Sequence, residues 1–236
     1  MRGILIANDA DNDAGVVGAI FVDLGYTFTQ LTRENAENWP KLGADIELVV
    51  SLGSEWSVYW PDIAKNMECE ADLLREAHQR RIPTLGICFG AQMLAHALGG
   101  SVLAAPTPEI GWFTVVWKDN FEGSEPLFAH LGADFGEKLW FQWHYDTFLP
   151  PSEAQILATS PVGIQAFRLG TSLGIQFHPE VTPAIVERWM SGKGADEIRA
   201  VGREPDQLRH ECEVNCEESR VAAVGLVAWF FSQTHK

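Results

Sequence analysis

Residues 84–100 read TLGICFGAQMLAHALGG and place a cysteine between two glycines where an apolar run gives way to a helical pattern. The apolar run is typical of a buried strand. A sharp strand-to-helix turn leaves little room for Cβ atoms, so Gly86 and Gly90 suit such a turn around Cys88. We predict that Cys88 is a nucleophile projecting from the top of a parallel sheet, with the Phe89 N–H directed at an oxyanion. The alternative is a buried structural cysteine.

Outward from this turn, short apolar runs alternate with helical patterns through the first hundred residues. The strand-like runs are GILIA at 3–7, DIELVVSLG at 45–53 and IPTLGIC at 82–88, and the helical ones are AGVVGAIFVDLG at 14–25 and MECEADLLREAHQRR at 67–81. This alternation predicts an open, mostly parallel α/β sheet with helices on both faces. Between residues 111 and 179, short β-rich segments predict added strands, some of them antiparallel. Helical spacing returns from Pro183, and we predict one domain over residues 1–236.

The chain of 236 residues carries a formal charge of −15. This charge argues against nucleic acid and anionic membrane surfaces as partners, because both are bound through basic patches. No apolar run is long enough to span a bilayer, and the N-terminal apolar segment is too short for a signal peptide. We therefore expect a cytoplasmic protein.

Two groups of residues suggest a metal site, but the sequence supplies a full set of ligands for neither. Cys212 and Cys216 are four residues apart and would share a helix face, but no second ligand pair completes a zinc site. Asp9, Asp11 and Asp13 alternate like the start of a calcium loop, but no glutamate stands at its twelfth position. We expect no metal, and a solvated loop with an aspartate N-cap at the second group.

A thiolate nucleophile needs a histidine base and a group that orients it. His178 ends the apolar run in GIQFHPEV and is followed by Pro179, which stops the strand. Glu180 is two residues further on, where a tight turn lets its carboxylate reach Nδ1 of the imidazole. The sequence therefore predicts Cys88, His178 and Glu180 as a catalytic triad.

GICFGAQ at 86–92 together with QFHPE at 176–180 resembles the class I, triad-type glutamine amidotransferases. The resemblance implies a flavodoxin-like core, no cofactor, and hydrolysis of the glutamine side-chain amide through a cysteinyl thioester. It assigns Cys88 as nucleophile, His178 as general base and acid, and Glu180 as the group that orients His178. It also places Gln92 where the family holds the glutamine side chain.

The family carries a glycine-rich loop after the third strand, which supplies the second oxyanion-hole amide. VVSLGSE at 49–55 aligns with this loop, so the resemblance assigns Gly53 to the oxyanion hole. Leu52 replaces the usual first glycine and restricts the backbone. We therefore expect the Gly53 amide to point away in the isolated protein, and glutamine hydrolysis to be slow.

WFQWHYD at 140–146 aligns with a family stretch that ends in Ser-His-Gly-Asp. This stretch is similar to the stand-alone branch of the family, which is related to the glutaminase domain of GMP synthase. The resemblance implies that Trp143 and His144 bind the α-amino end of the substrate through backbone groups. Tyr145, where glycine is usual, narrows the pocket.

Three functions remain open from the sequence. The first is a glutaminase that passes ammonia to a separate synthetase partner or releases it. The second is a hydrolase of γ-glutamyl amides or peptides that uses the same triad. The third is a non-catalytic regulatory module of the same fold, which intact Cys88, His178 and Glu180 argue against.

Overall fold

The computed structural model describes residues 1–118 and 136–234. Within these residues, nine strands form one sheet in the order β2-β1-β3-β4-β9-β8-β7-β5-β6. The parallel half of the sheet comprises β1 Arg2–Ala7, β2 Thr27–Thr32, β3 Ile46–Ser51, β4 Thr84–Ile87 and β9 Ser172–Ile175. Its order, 2-1-3-4 followed by a fifth strand, is that of flavodoxin-like sheets, as predicted.

The antiparallel half of the sheet extends from the edge of β9. It comprises β5 Ser101–Trp117, β6 Glu137–Leu149, β7 Gln155–Thr159 and β8 Ile164–Leu169. Strand β9 joins the two halves, because it is parallel to β4 on one side and antiparallel to β8 on the other. The predicted fold, a parallel sheet with added antiparallel strands, is confirmed.

Six α-helices lie in the described residues. They are α1 Gly15–Asp23, α2 Ala64–Gln79, α3 Phe89–Ala97, α4 Pro183–Met190, α5 Gly194–Ala200 and α6 Pro205–Thr234, with 3₁₀ turns at Arg33–Asn38 and Pro61–Ile63. Local signals set several ends: Gly25 follows α1 with a φ of 90°. Thr182 caps α4 by accepting from the Ile185 N–H at 3.2 Å. None of these helices combines the length and the apolarity needed to cross a membrane.

Side chains that alternate along β1 separate two hydrophobic cores. Leu5 and Ala7 pack with residues of α1 and α6 on one face of the sheet. Ile4 and Ile6 pack with α2 and α3 on the other face. The sheet is therefore covered on both faces, as the near-continuous apolar parallel strands require.

The sequence prediction missed parts of this sheet. Strand β2 was not anticipated, because its side chains are largely exposed and TFTQLT lacks a buried apolar run. Strand β5 begins at Ser101, ten residues before the predicted segment, since its first half is largely exposed, contains Pro106 and Pro108, and is a strand through its pairing with β6.

Candidate active site

The carboxyl ends of the five parallel strands meet at one edge of the sheet, where open α/β sheets bind their ligands. The residues that follow these strand ends are Asn8, Arg33, Leu52, Cys88 and Gln176. The predicted nucleophile and the predicted oxyanion loop are thus on neighbouring strands, β4 and β3.

Cys88 occupies the turn between β4 and α3. Its backbone has φ 51° and ψ −109°, a left-handed conformation that is uncommon for any residue except glycine. Its N–H donates to the Ile175 carbonyl at 2.8 Å, and its carbonyl accepts from the Ala91 and Gln92 N–H groups. Cys88 is 4 % exposed, so its thiol is buried rather than projecting into solvent as predicted.

The glycines around Cys88 are required by close backbone contacts. A Cβ on Gly86 would lie 2.5 Å from the Gly90 carbonyl oxygen. A Cβ on Gly90 would lie 2.0 Å from the Ser51 carbonyl oxygen. The turn therefore depends on both glycines, for the steric reason expected from the sequence.

The His178 imidazole and the Glu180 carboxylate are adjacent and buried. Nδ1 of His178 lies 2.7 Å from Oε1 of Glu180. The His178 N–H donates to the Phe141 carbonyl at 2.8 Å, and the Glu180 carbonyl accepts from the Val16 N–H at 3.0 Å. Among the described residues, Nε2 of His178 has no hydrogen-bond partner, so it remains available to a reacting group.

The electrostatics around His178 favour its protonated form. Complete burial lowers the pKa of His178, but the negative charges of Glu180 and Cys88 outweigh burial and raise that pKa well above its usual value. A protonated imidazole beside a thiolate is the charge state that nucleophilic cysteines use.

Gly53 lies against both predicted catalytic side chains. A Cβ at this position would stand 3.1 Å from Cε1 of His178 and 3.8 Å from the Cβ of Cys88. Leu52 is 4 % exposed and packs in the core on the α1 and α6 side of the sheet. Phe89, which begins α3 directly after Cys88, is also buried.

Gln176 contacts the nucleophile, and the sequence prediction did not include it. Its Nε2 lies 3.5 Å from Sγ of Cys88. Gln92, predicted to hold the substrate, donates from Nε2 to Oε1 of Gln176 and to the Asp146 carbonyl, both at 3.3 Å. Both of these hydrogen bonds connect the Gln92 amide to other groups of the protein. Residue 176 could have been noticed from its place directly after β9, at the edge where ligands bind.

Residues 143–145 border the site on β6. The Trp143 carbonyl oxygen lies 3.8 Å from Sγ of Cys88, and its indole donates to Glu197 at 2.9 Å. The His144 side chain is buried and bonds the Asp146 carbonyl and Glu109, each at 3.0 Å. The polar side-chain groups of residues 143 and 144 are therefore bonded within the protein, and their backbone groups are the ones that a ligand would bind.

Tyr145 stands at the rim, with 44 % of its surface exposed. Partial burial, together with the charge of Glu197 and a hydrogen bond to it, raises the pKa of Tyr145 to about 12. The neutral phenol therefore faces the solvent side of the site at all physiological pH values.

Trp189 on α4 is a second unpredicted neighbour of the site. Its ring lies edge-on to the His178 imidazole, with centroids 4.9 Å apart and an angle of 67°. Its Nε1 donates to Oδ2 of Asp11 at 2.7 Å. The tryptophan thus connects the imidazole to the acidic run after β1.

The carboxylates of Asp11 and Asp13 in this acidic run interact with other groups of the protein. Arg188 lies 3.4 Å from carboxylate oxygens of both Asp11 and Asp13. Asp13 accepts from the Gly15 N–H at 2.9 Å, although the N-cap position of α1 is Ala14 rather than an aspartate. Within residues 1–118 and 136–234, no group of three or more acidic, histidine or cysteine side chains could hold a metal ion.

Comparison with known proteins matches the chain to one protein family. Residues 60–188, more than half of the chain, match the family model described as Glutamine amidotransferase class-I. A glutamine-hydrolyzing GMP synthase from Cytophaga hutchinsonii is 29% identical over 182 residues, which cover 70% of this chain and 33% of the relative. One from Bacteroides fragilis is 36% identical, covering 69% of this chain and 32% of the relative. The chain spans about a third of the length of these curated relatives.

Solved structures resemble the whole chain. A glutamine amidotransferase from Thermotoga maritima superposes with a TM-score of 0.83 at 29% identity, covering 98% of both chains. A glutamine amido transferase from Methylobacillus flagellatus gives a TM-score of 0.82 at 24% identity, covering 98% of this chain and 94% of the other. The second similarity supports the fold alone.

Proposed function

The chain belongs to the class I glutamine amidotransferases, and from this membership we propose that it hydrolyses the glutamine side-chain amide to glutamate and ammonia. The observation that carries the proposal is that Cys88 and the His178–Glu180 pair lie together around Gly53 at the carboxyl edge of the sheet. We also propose that residues 1–236 form one domain.

In the first half of the reaction, the Cys88 thiolate attacks the carbonyl carbon of the amide. The carbon–nitrogen bond then breaks, and ammonia leaves with a proton from Nε2 of His178. Glu180 stabilises the imidazolium and holds its ring in place through the 2.7 Å contact at Nδ1. The product of this half is a γ-glutamyl thioester on Cys88.

In the second half, water attacks the thioester carbon and gives a proton to His178. The carbon–sulfur bond breaks, glutamate departs, and the thiolate and imidazolium return to their starting state. In both halves the developing oxyanion is bound by the backbone N–H groups of Gly53 and Phe89. The contact of Gly53 with both catalytic side chains supports its part in this hole.

For the substrate, we assign Gln92 and the backbone of Trp143 and His144 to the binding of the glutamine side chain and its α-amino end. The 3.8 Å approach of the Trp143 carbonyl to Sγ supports a backbone contribution there. Gln92 acts through Gln176, which it bonds and which contacts the thiol. Ammonia is released or passed to a synthetase-type acceptor, and the names of the relatives, glutamine-hydrolyzing GMP synthases, favour the acceptor.

A second candidate is a hydrolase of larger γ-glutamyl amides or peptides. The half-exposed phenol of Tyr145 favours it, because an uncharged aromatic rim suits a substrate that extends beyond the α-amino acid end of glutamine. The chemistry at Cys88 would be the same, so the two candidates differ in the group that leaves.

The test is release of ammonia and glutamate by the wild type and by His178→Ala. The variant should lose several orders of magnitude in turnover, because it removes the proton carrier of both half-reactions. His210→Ala is the matched control, since His210 is exposed on α6. Unchanged turnover in His178→Ala contradicts the triad. Hydrolysis restricted to larger γ-glutamyl amides selects the second candidate, and no hydrolysis at all indicates a non-catalytic module.

A further inference from the structure

Arg33 is a fully buried charge that no step of the reaction uses. It follows β2 at the catalytic edge, and its Nε donates to Oε2 of Glu70, on α2, at 2.8 Å. Both side chains are 0% exposed. Its Nη2 also lies 3.2 Å from Oε1 of the same carboxylate, so the pair is bidentate.

Other donors of Arg33 bind the predicted oxyanion loop, and Nη1 donates in addition to Oδ1 of Asn8 at 3.0 Å. Nη1 donates to the Gly53 carbonyl at 2.9 Å, and Nη2 donates to the Leu52 carbonyl at 2.8 Å. The guanidinium also lies over the ring of Phe89, 4.7 Å from its centroid. One side chain therefore contacts both segments that carry the proposed oxyanion donors.

Holding a carbonyl also fixes the direction of the next amide. The peptide bonds of the described residues are trans, so the Leu52 carbonyl and the Gly53 N–H point in opposite directions. Rotating this peptide plane would break a charge-assisted bond and leave part of a buried guanidinium unpaired, which is strongly unfavourable. The loop after β3 therefore has one favoured arrangement.

We propose that Arg33, oriented by Glu70, is a positioning residue that holds residues 51–54 so that the Gly53 amide is directed at the oxyanion. This inference rests on the proposed function. It also replaces the expectation that Leu52 leaves the amide turned away, because Leu52 is anchored by its buried side chain and by the bond from Arg33 to its carbonyl. The isolated chain should therefore hydrolyse its substrate without a partner to form the loop.

Arg33→Lys separates positioning from a purely structural role. Lysine keeps the positive charge beside Glu70, but its compact ammonium cannot pair with the carboxylate and bond both loop carbonyls. We expect kcat to fall about ten- to a hundredfold, since losing one oxyanion donor costs about 10²–10³. KM should change by less than about twofold, because the hole binds the transition state rather than the substrate.

Alkylation of Cys88 by iodoacetamide is the discriminating readout. It needs the thiolate but forms no oxyanion, so its rate should be unchanged in Arg33→Lys. Arg203→Lys is the matched control, because the Arg203 guanidinium also donates both to a backbone carbonyl, that of Ile110, and to a carboxylate, that of Glu211. Unchanged kcat, or an equal loss of alkylation and hydrolysis, would overturn the inference.

Amide hydrogen exchange over residues 51–54 tests the loop independently of turnover. Exchange should rise in Arg33→Lys and not in Arg203→Lys, and unchanged exchange overturns the inference. If the wild type hydrolyses no γ-glutamyl amide, the proposed function fails while exchange still shows whether Arg33 holds the loop.

If Arg33→Lys does not fold, Glu70→Gln replaces it. The neutral amide keeps the side-chain volume at this position but orients the guanidinium less strongly than the carboxylate does. The same readouts and the same overturning results apply to this variant.

Discussion

At the residue scale, Cys88 combines low exposure with a setting that activates its thiol. Cys69 and Cys216 are more exposed than Cys88, and Cys212 is buried like it. We predict that iodoacetamide modifies Cys88 at least about ten times faster than the other three near neutral pH, because Cys88 lies at the N-terminus of α3 and shares the surroundings of Gly53 with the His178 imidazole. Peptide mapping after partial alkylation measures the four rates. Labelling in the order of exposure would contradict the assignment.

In the proposed reaction, Glu180 sets the pH range in which His178 can give a proton. Burial lowers the pKa of His178, and the negative charge of Glu180 is the strongest influence that raises it. Activity should be lost as pH rises through this raised pKa, because the proton for ammonia disappears. In Glu180→Gln the pKa falls, so the basic limb of the kcat/KM profile should move to lower pH.

The control for this profile is Glu187→Gln, which alters an exposed carboxylate that bonds Arg209. Its basic limb should coincide with that of the wild type. If Glu180→Gln leaves the basic limb in place, Glu180 does not control the charge of His178.

The proposed triad follows from the sequence alone because each of its residues lies in a short local pattern. The glycines around Cys88 and the two-residue spacing of His178 and Glu180 need no knowledge of the fold. Arg33 could not be predicted as part of the site, because its partners Leu52, Gly53 and Glu70 lie 19, 20 and 37 residues away along the chain. An arginine after an unpredicted strand carries no local signal of complete burial.

At the element scale, the turn from β4 to α3 tolerates no side chain at Gly90. A methyl group there would lie 2.0 Å from the Ser51 carbonyl, so Gly90→Ala should push α3 away from β3. We expect a loss of about 3 kcal/mol or more in the free energy of unfolding, well outside the effect of ordinary surface substitutions. Denaturant unfolding measures the change.

Gly136→Ala is the matched control, because no atom of the described residues lies within 4 Å of its ideal Cβ. It should change the free energy of unfolding by less than about 0.5 kcal/mol. Similar losses in both variants would show that the turn can relax, and that Gly90 is not sterically required.

The elements themselves were predicted with uneven success, for physical reasons. Strands β1 and β3 are buried on both faces and therefore appear as continuous apolar runs. Strand β2 is an edge strand with mostly exposed residues, and its alternating polar sequence predicts no strand on its own. The first half of β5 is also largely exposed and contains Pro106 and Pro108, so tertiary pairing with β6 rather than local propensity makes it a strand.

At the scale of the whole molecule, one core joins the two ends of the described chain. The cluster beneath α1 includes Leu5 near the N-terminus and Trp229 near the C-terminus. We therefore predict that residues 1–236 unfold as one domain in a single transition. Trp229→Ala should lower the stability of the whole chain by about 3–5 kcal/mol, as large-to-small core substitutions do.

Two probes measure this prediction under denaturing conditions: helical circular dichroism, and the fluorescence of the tryptophan side chains. They should report coincident midpoints in the wild type and in Trp229→Ala. Val224→Ala, at a position 45% exposed on the same helix, should leave the midpoint nearly unchanged. Separate midpoints for the two probes would divide the chain into independent units.

The left-handed backbone at Cys88 also bears on how this chain changes over evolutionary time. A side chain held there stores about 1–3 kcal/mol of strain, which glycine would release. Selection for stability alone therefore favours loss of the thiol, and selection for turnover retains it. A descendant freed from turnover should drift to glycine here while Gly86 and Gly90, held by backbone contacts, persist. The residue at this position in a homologue thus records whether its lineage still depends on the reaction.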